Sequence, residues 1–147
     1  LDVRLAIGIG NEVFLSEKLG YSWDVVHEIA EQLEHIRHSE LADRLEAFLG
    51  YPDYDPHGDP IPKSNGAMPN TFTTLLSDIE IGTKCRVVAV KDTSSTFLQY
   101  LQQLSVSIGT TIEVLGKIPF DGSMSIQIGG TLKTNVSKKF VESLLVD

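Results

Sequence analysis

Cysteine, long apolar runs and targeting segments are scarce or absent in this sequence. Cys85 is the only cysteine among 147 residues, so the chain can form no internal disulfide and shows no sign of an oxidising compartment. No stretch approaches the roughly 18 consecutive apolar residues of a membrane-spanning helix. No basic segment is followed by an apolar one, as in a secretory signal peptide. We therefore predict a cytoplasmic protein without a membrane partner.

Positive charge is also scarce. The chain has 12 Lys and Arg residues against 20 Asp and Glu residues, which gives a net charge of −8. Nucleic-acid-binding surfaces usually carry a basic patch, so this chain alone is predicted to bind DNA poorly. If the protein acts on DNA, another part of it must make the contact. The excess of carboxylates is compatible with cation binding.

Apolar residues make up 41 % of the chain, and their periodicity in the first part is helical. Gly20 and Gly50 are predicted C-terminal caps, and Ser22 is a predicted N-cap. The segment 51–62 contains four prolines, which exclude both a helix and a central strand. The sequence thus predicts helices over residues 12–19, 23–36 and 40–49, followed by an ordered extended loop.

The pattern changes to short β-rich segments after residue 71. Asp121-Gly122 is a turn signal before the last of these segments, and residues 97–104 have helical spacing. Several short strands around one helix are typical of a small β-barrel. We predict strands over residues 85–90, 111–115 and 123–128. The predicted class is α+β, with a helical domain over 1–62, a linker over 63–71 and a β-barrel domain over 72–147.

Two imidazoles and two carboxylates share one face of the second predicted helix. At about 100° per residue, the four positions fall within an arc of about 100°, and the apolar positions of the helix fall roughly opposite. Imidazole and carboxylate ligands together suit a divalent first-row ion such as Mn²⁺, Fe²⁺, Co²⁺ or Zn²⁺. One helix cannot surround an ion, so other elements must complete such a site. The four residues are His27, Glu31, Glu34 and His35.

Two other interpretations of this face remain open at this point. Glu and His are common on solvated helix faces, so the face could simply be polar. Glu31 and Glu34 could also form an acid/base pair for hydrolysis, although no nucleophile or oxyanion donor lies nearby in the sequence. The spacing differs from the His-Glu-x-x-His pattern of zinc proteases. We therefore predict that the chain is not an enzyme.

Three separated motifs resemble the diphtheria-toxin-repressor and manganese-transport-regulator family of metal-dependent transcriptional repressors. The resemblance covers nearly the whole chain, and it favours metal binding over a plain polar face. It implies a helical metal-binding dimerisation domain, a proline-rich exit and a small SH3-like (FeoA-like) β-barrel. The motifs are Glu17-Lys18-Leu19-Gly20-Tyr21-Ser22-Trp23, Val26-His27-Glu28-x-Ala30-Glu31-x-Leu33-Glu34-His35 and Asp55-Pro56-His57-Gly58-Asp59-Pro60-Ile61-Pro62.

The resemblance implies a primary metal site at Glu31, Glu34 and His35. Iron-type members of the family tend to have Cys where Glu31 stands, so this chain looks like the manganese-type members. Carboxylate is a hard ligand that suits Mn²⁺, and we expect Mn²⁺ with Fe²⁺ as the alternative. The family's winged helix-turn-helix supplies further ligands to this site. No such segment is present in this sequence, so we expect the isolated chain to bind metal weakly there.

The resemblance also implies an ancillary metal site. His27 and Glu12 match its helical ligands, and Asp92 is the candidate ligand from the SH3-like domain. Another His of the family pattern would stand at Gly8. Its absence implies that the ancillary site is altered, or that residues between positions 5 and 11 are missing.

The implied function is a homodimeric, metal-dependent repressor that controls metal-ion uptake and reaches operator DNA through a domain absent from this chain. Metal would tie that domain to the helix with the primary site and favour the arrangement that spans two operator half-sites. The alternative is a stand-alone metal-sensing dimer or interaction module without DNA binding. The segment that precedes Leu1 would distinguish the two.

Several conspicuous residues receive plainer interpretations. Cys85 stands in an apolar run and is predicted to be a buried small hydrophobe rather than a nucleophile. His57 is predicted to satisfy a hydrogen bond of its ordered loop rather than to bind a metal. Trp23, Val26 and Leu33 are predicted to lie in the core or at a dimer interface.

Overall fold

A computed structural model of the chain describes residues 11–36, 38–63 and 65–147. The chain divides into two compact units, Leu1–Thr71 and Phe72–Asp147. The first unit is helical and the second is built on an antiparallel sheet, which confirms the predicted α+β class. In the described part of the chain, no helix is long and apolar enough to cross a membrane.

The described residues of the first unit include three helices: α1 over residues 11–17, α2 over Val26–Leu33 and α3 over Ser39–Phe48. Helix α2 is shorter than the predicted helix 23–36. The Ser22 carbonyl accepts hydrogen bonds from the amides of Val25 and Val26, which closes a turn before the helix begins. The Ser22 hydroxyl donates to Asp24 Oδ1 at 2.5 Å, so it does not cap the helix as predicted.

The apolar core of the first unit is small. Leu15 of α1 packs with Val26 and Ala30 of α2, and Ile29 and Leu33 add partly buried surface. These positions recur at helical spacing, which places them on one face of each helix. Val26 and Leu33 therefore lie in or against the core, as predicted.

The proline-rich segment after α3 forms an ordered loop. The Ile61 amide donates to the Asp53 carbonyl at 2.8 Å, and the Asp55 amide donates to the Asp59 carbonyl at 2.9 Å. These bonds bring the two arms of the loop side by side. Gly58 has a φ of 88°, which a residue with a side chain adopts only with strain. The loop thus holds Asp55 and the residues that follow it in a fixed turn.

The second unit contains a five-stranded antiparallel sheet with strand order β4-β3-β2-β1-β5. Helix α4 over Ser95–Gln103 follows β1, and a short helix α5 over Lys138–Val141 precedes β5. A 3₁₀ turn over Leu76–Asp78 comes before the sheet. The strands are β1 Lys84–Val90, β2 Thr111–Lys117, β3 Met124–Ile128, β4 Leu132–Val136 and β5 Leu144–Val146.

Alternating residues of the strands build the core of the second unit. Met124, Ile126 and Ile128 of β3 are buried, and Val114 of β2 pairs with Ile126 across the ladder. Cys85 is buried at 5 % exposure, which confirms its interpretation as a small core residue. Burial also raises the pKa of its thiol, which opposes formation of a nucleophilic thiolate.

Candidate metal centre

Glu12, Asp55 and His57 form a compact group of metal-ligating side chains. Glu12 lies on α1, and the other two lie in the proline-rich loop after α3. One ligand atom from each residue lies within 4.8 Å of the other two, and this is the one such group found among the described residues. Glu12 and His57 are 7 % and 4 % exposed. The group is therefore a nearly dry site that contains two carboxylates.

Asp55 is fixed by the turn that it starts. Its Oδ1 accepts hydrogen bonds from the backbone amides of His57 and Asp59, both at 2.8 Å. Asp often bonds to its own backbone two residues onward in this way, because its short side chain mimics a backbone turn. Its second oxygen, Oδ2, lies 3.7 Å from His57 Nδ1. One oxygen thus shapes the loop, and the other faces the group.

His57 forms a hydrogen bond with the turn that precedes α2. Its Nε2 lies 2.9 Å from the carbonyl oxygen of Trp23, at the turn before α2. Its Nδ1 lies 3.7 Å from Asp55 Oδ2 and 3.8 Å from Glu12 Oε2. Histidines that bind metals usually donate their other ring N–H to a carbonyl or carboxylate, which orients the ring. The contacts of His57 have this form.

The electrostatics of the group favour a cation. Burial raises the pKa of Glu12, although the hydrogen bond with His27 Nδ1 at 2.8 Å opposes that rise. Burial disfavours the charged ring of His57, but the neighbouring Asp55 carboxylate and the Trp23 carbonyl outweigh it and raise the His57 pKa. Two buried carboxylates beside one imidazole are costly without a compensating charge. A proton or a metal ion would supply it.

The residues present fit a divalent first-row ion. Two carboxylate oxygens and one imidazole nitrogen are ligands that such ions accept. Two ligand atoms that each lie about 2.1 Å from one ion are at most about 4.2 Å apart. The separations of His57 Nδ1 from the two carboxylates, 3.7 and 3.8 Å, fall within that limit. The three side chains would hold the ion, and water or further ligands would complete its shell.

The structure brings together two of the three residues predicted for the ancillary site. His27 contacts Glu12 through Oε1, whereas Glu12 Oε2 faces His57. The His27 side chain is 77 % exposed. Asp92 lies in the second unit, where its Oδ1 accepts from the Ser94 amide at 2.9 Å. Its role as a ligand remains a prediction, and Gly8 lies outside the described residues.

The residues of the predicted primary site do not form a compact group like Glu12, Asp55 and His57. Glu31 lies in the last turn of α2, Glu34 occupies the C-cap position and His35 lies in the turn beyond it. Glu31 and His35 are exposed, and Glu34 is half-buried. In the described part of the chain no second element converges on these three residues to form a ligand group. The primary site therefore remains a prediction.

Two members of the compact group were not predicted as metal ligands. Asp55 received no role, and His57 was interpreted as a hydrogen-bonding loop residue. His57 does form such a bond through Nε2, but its other ring nitrogen faces the two carboxylates. The available signal was the Asp-Pro-His-Gly order in a proline-rich loop, where a fixed turn holds an acid and an imidazole two residues apart.

Two family descriptions together match most of the chain. Residues 11–63 match "Iron dependent repressor, metal binding and dimerisation domain". Residues 74–147 match "FeoA domain". The metal-binding description therefore covers the whole Glu12–Asp55–His57 group, and the FeoA description confirms the predicted SH3-like domain.

Solved structures give the same result over the full length of the chain. A manganese-dependent transcriptional repressor in complex with manganese is 31 % identical, with a TM-score of 0.90, over 99 % of this chain and 69 % of that chain. A second structure of a manganese-dependent transcriptional repressor is 31 % identical, with a TM-score of 0.86, over 98 % of this chain and 79 % of that one. The manganese regulator SloR is 27 % identical, with a TM-score of 0.84, over 99 % of this chain and 67 % of that one.

A curated relative matches about a third of the chain. A probable metal transport system membrane protein from Chlamydia trachomatis serovar D is 42 % identical over 52 residues, which are 35 % of this chain and 12 % of that protein. The solved relatives are transcriptional repressors, which are not enzymes, in agreement with the sequence prediction. The two domain matches and the full-length structural similarity show that this chain belongs to the diphtheria-toxin-repressor and manganese-transport-regulator family of metalloregulators.

Proposed function

We propose that the chain is the metal-sensing and dimerising part of a metal-dependent transcriptional repressor that controls metal-ion uptake in the cytoplasm. Mn²⁺ is the proposed ion, with Fe²⁺ as the alternative. The proposal draws on the manganese-dependent repressors that the chain resembles and on its oxygen-rich ligand sets. Two copies would form a homodimer through the first unit, which matches a dimerisation domain.

The Glu12–Asp55–His57 group is the observation that carries this proposal. It buries two carboxylates and one imidazole against one another, and the three residues of the group include no Lys or Arg. A bound divalent ion would supply the positive charge that must otherwise come from protonation of the imidazole. Because Glu12 lies on α1 and its partners lie in the loop after α3, binding would fasten two distant segments of the first unit together.

Glu31, Glu34 and His35 are proposed as a second metal site that needs ligands from elsewhere in the protein. The exposure of Glu31 and His35 fits a face that another domain covers. Asp92 is proposed as a further ligand of the ancillary site, with His27 and Glu12. An ion shared between this face and a DNA-reading domain would favour one arrangement of the two, which is how metal binding could control operator binding.

DNA contact is proposed to lie outside the units described here. The first unit contains 13 acidic and 5 basic residues, and the second contains 7 of each. Neither composition provides the basic surface that DNA phosphates attract. The chain spans 69 % of the repressor found in complex with manganese, so a longer protein of this kind has room for another domain.

The first experiment is a calorimetric Mn²⁺ titration of the chain and of Glu12→Gln, which removes the charge and keeps the shape. We expect Glu12→Gln to weaken binding by at least about 100-fold, the upper range for changes just outside a ligand shell. Glu28→Gln, on the exposed surface of α2, is the matched control and should bind as the parent does. Equal affinities for parent and Glu12→Gln would reject the group as a metal site.

The alternative, a metal-sensing dimer without DNA binding, is favoured by the net charge of −8. Fluorescence anisotropy with the full-length protein and operator-length DNA from its own promoter region distinguishes the two. Mn²⁺-dependent binding that 150 mM salt does not abolish would support the repressor. Mn²⁺ binding with no DNA binding at any metal concentration would support the sensing module instead.

A further inference from the structure

Trp23 contacts His57 in two independent ways. Its backbone carbonyl oxygen lies 2.9 Å from His57 Nε2, and its indole stacks on the imidazole with ring centroids 6.4 Å apart and planes inclined by 17°. The His57 side chain is only 5 % exposed, so the ring has little room to turn. Neither contact involves the carboxylates of the metal-binding group.

These contacts decide which nitrogen of His57 carries the proton in the neutral ring. A carbonyl oxygen can only accept, so the bond to Trp23 requires hydrogen on Nε2. The competing acceptors, Glu12 Oε2 and Asp55 Oδ2, lie 3.8 and 3.7 Å from Nδ1, beyond normal hydrogen-bond length. The short bond therefore wins, and Nδ1 keeps its lone pair on the side of the carboxylates.

We infer that Trp23 is a positioning residue of the metal centre, which holds His57 as the Nε2–H tautomer and so presents Nδ1 as the ligand atom. The inference rests on the proposed function, in which Glu12, Asp55 and His57 bind a divalent ion. The carbonyl selects the tautomer, and the stacked indole keeps the ring at the angle that this bond needs. An imidazole ring that turned freely would lose the hydrogen bond to the Trp23 carbonyl and, with it, the preference for the Nε2–H tautomer.

The first test reads the tautomer without any metal. Two-bond ¹H–¹⁵N correlation spectra of the chain in EDTA at about pH 9, where histidine is neutral, separate protonated from bare ring nitrogens. His57→Gln assigns the signal among the four histidines. We expect Nε2–H for His57 in the parent and in Trp23→Phe, which keeps a stacking ring. Trp23→Ala should give a mixture of tautomers.

The second test titrates the same proteins with Mn²⁺ alone. Trp23→Ala should bind about 10- to 100-fold more weakly, as changes behind a metal ligand usually do, and Trp23→Phe should recover most of the affinity. Tyr21→Ala, an exposed position two residues before Trp23, is the matched control and should change neither readout. Recovery by Trp23→Phe would separate ring positioning from a general loss of folding.

The outcomes separate this inference from the function on which it rests. An Nδ1–H signal in the parent overturns the inference, whether or not the chain binds Mn²⁺. A Trp23→Ala variant with the parent's tautomer and affinity overturns it as well. If Glu12→Gln leaves the Mn²⁺ affinity unchanged, the proposed function is overturned instead. The metal-free spectra still report the His57 tautomer in that case, because they do not depend on Mn²⁺.

Discussion

The first unit contains 13 acidic and 5 basic residues, whereas the second contains 7 of each, so the whole net charge of −8 belongs to the first unit. Of the buried apolar side chains among the described residues, 6 lie in the first unit and 18 in the second. Buried polar residues show the opposite distribution. The first unit has Asn11, Glu12 and His57, and the second has only Ser143 within the same described set.

This difference indicates that the two units obtain their stability from different sources. Apolar burial contributes about 25 cal/mol per Å², and the second unit has most of it. The first unit buries charge, which costs free energy unless a partner compensates it. Binding sites are commonly drawn from the less stable parts of a protein. A metal ion that binds only the folded first unit would add the stability that its small core does not provide.

Each unit contains its own natural reporter. Trp23 is the only tryptophan of the chain and lies in the first unit, whereas Cys85 is the only cysteine and lies in the second. Tryptophan fluorescence therefore follows unfolding of the first unit. Reaction of the buried Cys85 thiol with a disulfide reagent follows opening of the second. Both signals can be recorded on one protein without an added label.

The largest expected effect comes from a matched pair of core truncations. Leu101→Ala removes a side chain of α4 that is fully buried, and Leu15→Ala removes one of α1 that is 3 % exposed. We expect losses of unfolding free energy of about 4 kcal/mol for Leu101→Ala and about 2 kcal/mol for Leu15→Ala, because a small cluster can collapse into the space. Urea titration followed by the reporter of each unit measures them. Equal losses would contradict the difference in core size.

Mn²⁺ should stabilise the two units unequally. At a free concentration 100 times its dissociation constant, an ion that binds only the folded state adds about 2.7 kcal/mol. If Glu12, Asp55 and His57 alone hold the ion, we expect the Trp23 transition in urea to shift by that amount and the Cys85 labelling transition to stay in place. Both signals are recorded on the same samples with Mn²⁺ or with EDTA.

The control for this shift is Asp55→Asn, which removes one charge from the metal-binding group and should abolish the Mn²⁺ effect. Asp53→Asn, an exposed neighbour that pairs with Lys63 at 2.6 Å, should retain it. If Mn²⁺ shifts the Cys85 labelling transition as far as the Trp23 fluorescence transition, metal binding stabilises both units and not the first alone.

Apolar periodicity predicted much of the second unit because its strands are buried on alternating residues. Met124, Ile126 and Ile128 alternate with polar residues, and β3 was found within one residue of its predicted bounds. Strand β4 escaped prediction because its Lys133, Thr134 and Asn135 form a polar run. Helix α5 is only four residues long and depends on a local cap, in which the Phe140 amide donates to the Ser137 hydroxyl.

The candidate site was harder to predict than the fold. Helical spacing identified His27, Glu31, Glu34 and His35 because residues three or four apart share a face. The same spacing cannot show that Glu12 meets Asp55 and His57, which lie far along the chain and approach it only through the tertiary fold. The end of α2 was also overestimated. Helix periodicity continues through residue 36, but the regular helix ends at Leu33.

A smaller effect is expected at the turn between β2 and β3. Gly122 has a φ of 74°, and a Cβ built on it would lie 2.9 Å from Lys138 Cδ. Gly129, in the turn between β3 and β4, serves as the comparison. It has a φ of 60°, and no atom lies within 4 Å of a Cβ built on it. We expect Gly129→Ala to cost about 1 kcal/mol from backbone strain alone and Gly122→Ala to cost up to about 1 kcal/mol more. Urea titration with Cys85 labelling compares the two variants. A larger loss of unfolding free energy for Gly129→Ala than for Gly122→Ala would show that the close contact with Lys138 does not add to the cost.

The smallest expected effect concerns Asp92 at the start of α4. The hydrogen bond from the Ser94 amide lowers the Asp92 pKa below its ordinary value of 3.8. A carboxyl with a lowered pKa in the folded state stabilises the fold above its unfolded pKa, and that contribution disappears as the pH falls through the folded value. Asp92→Asn should therefore be less stable than the parent at pH 5, and the deficit should shrink towards pH 2. Because Asp92 is largely exposed, the deficit should stay within about 1 kcal/mol.

Urea unfolding followed by circular dichroism at pH 5 and pH 2 measures this deficit for Asp92→Asn. A carbon-13 titration of the Asp92 carboxyl measures the pKa directly. A deficit that does not change with pH would mean that the charge of Asp92 contributes nothing to folding of the second unit.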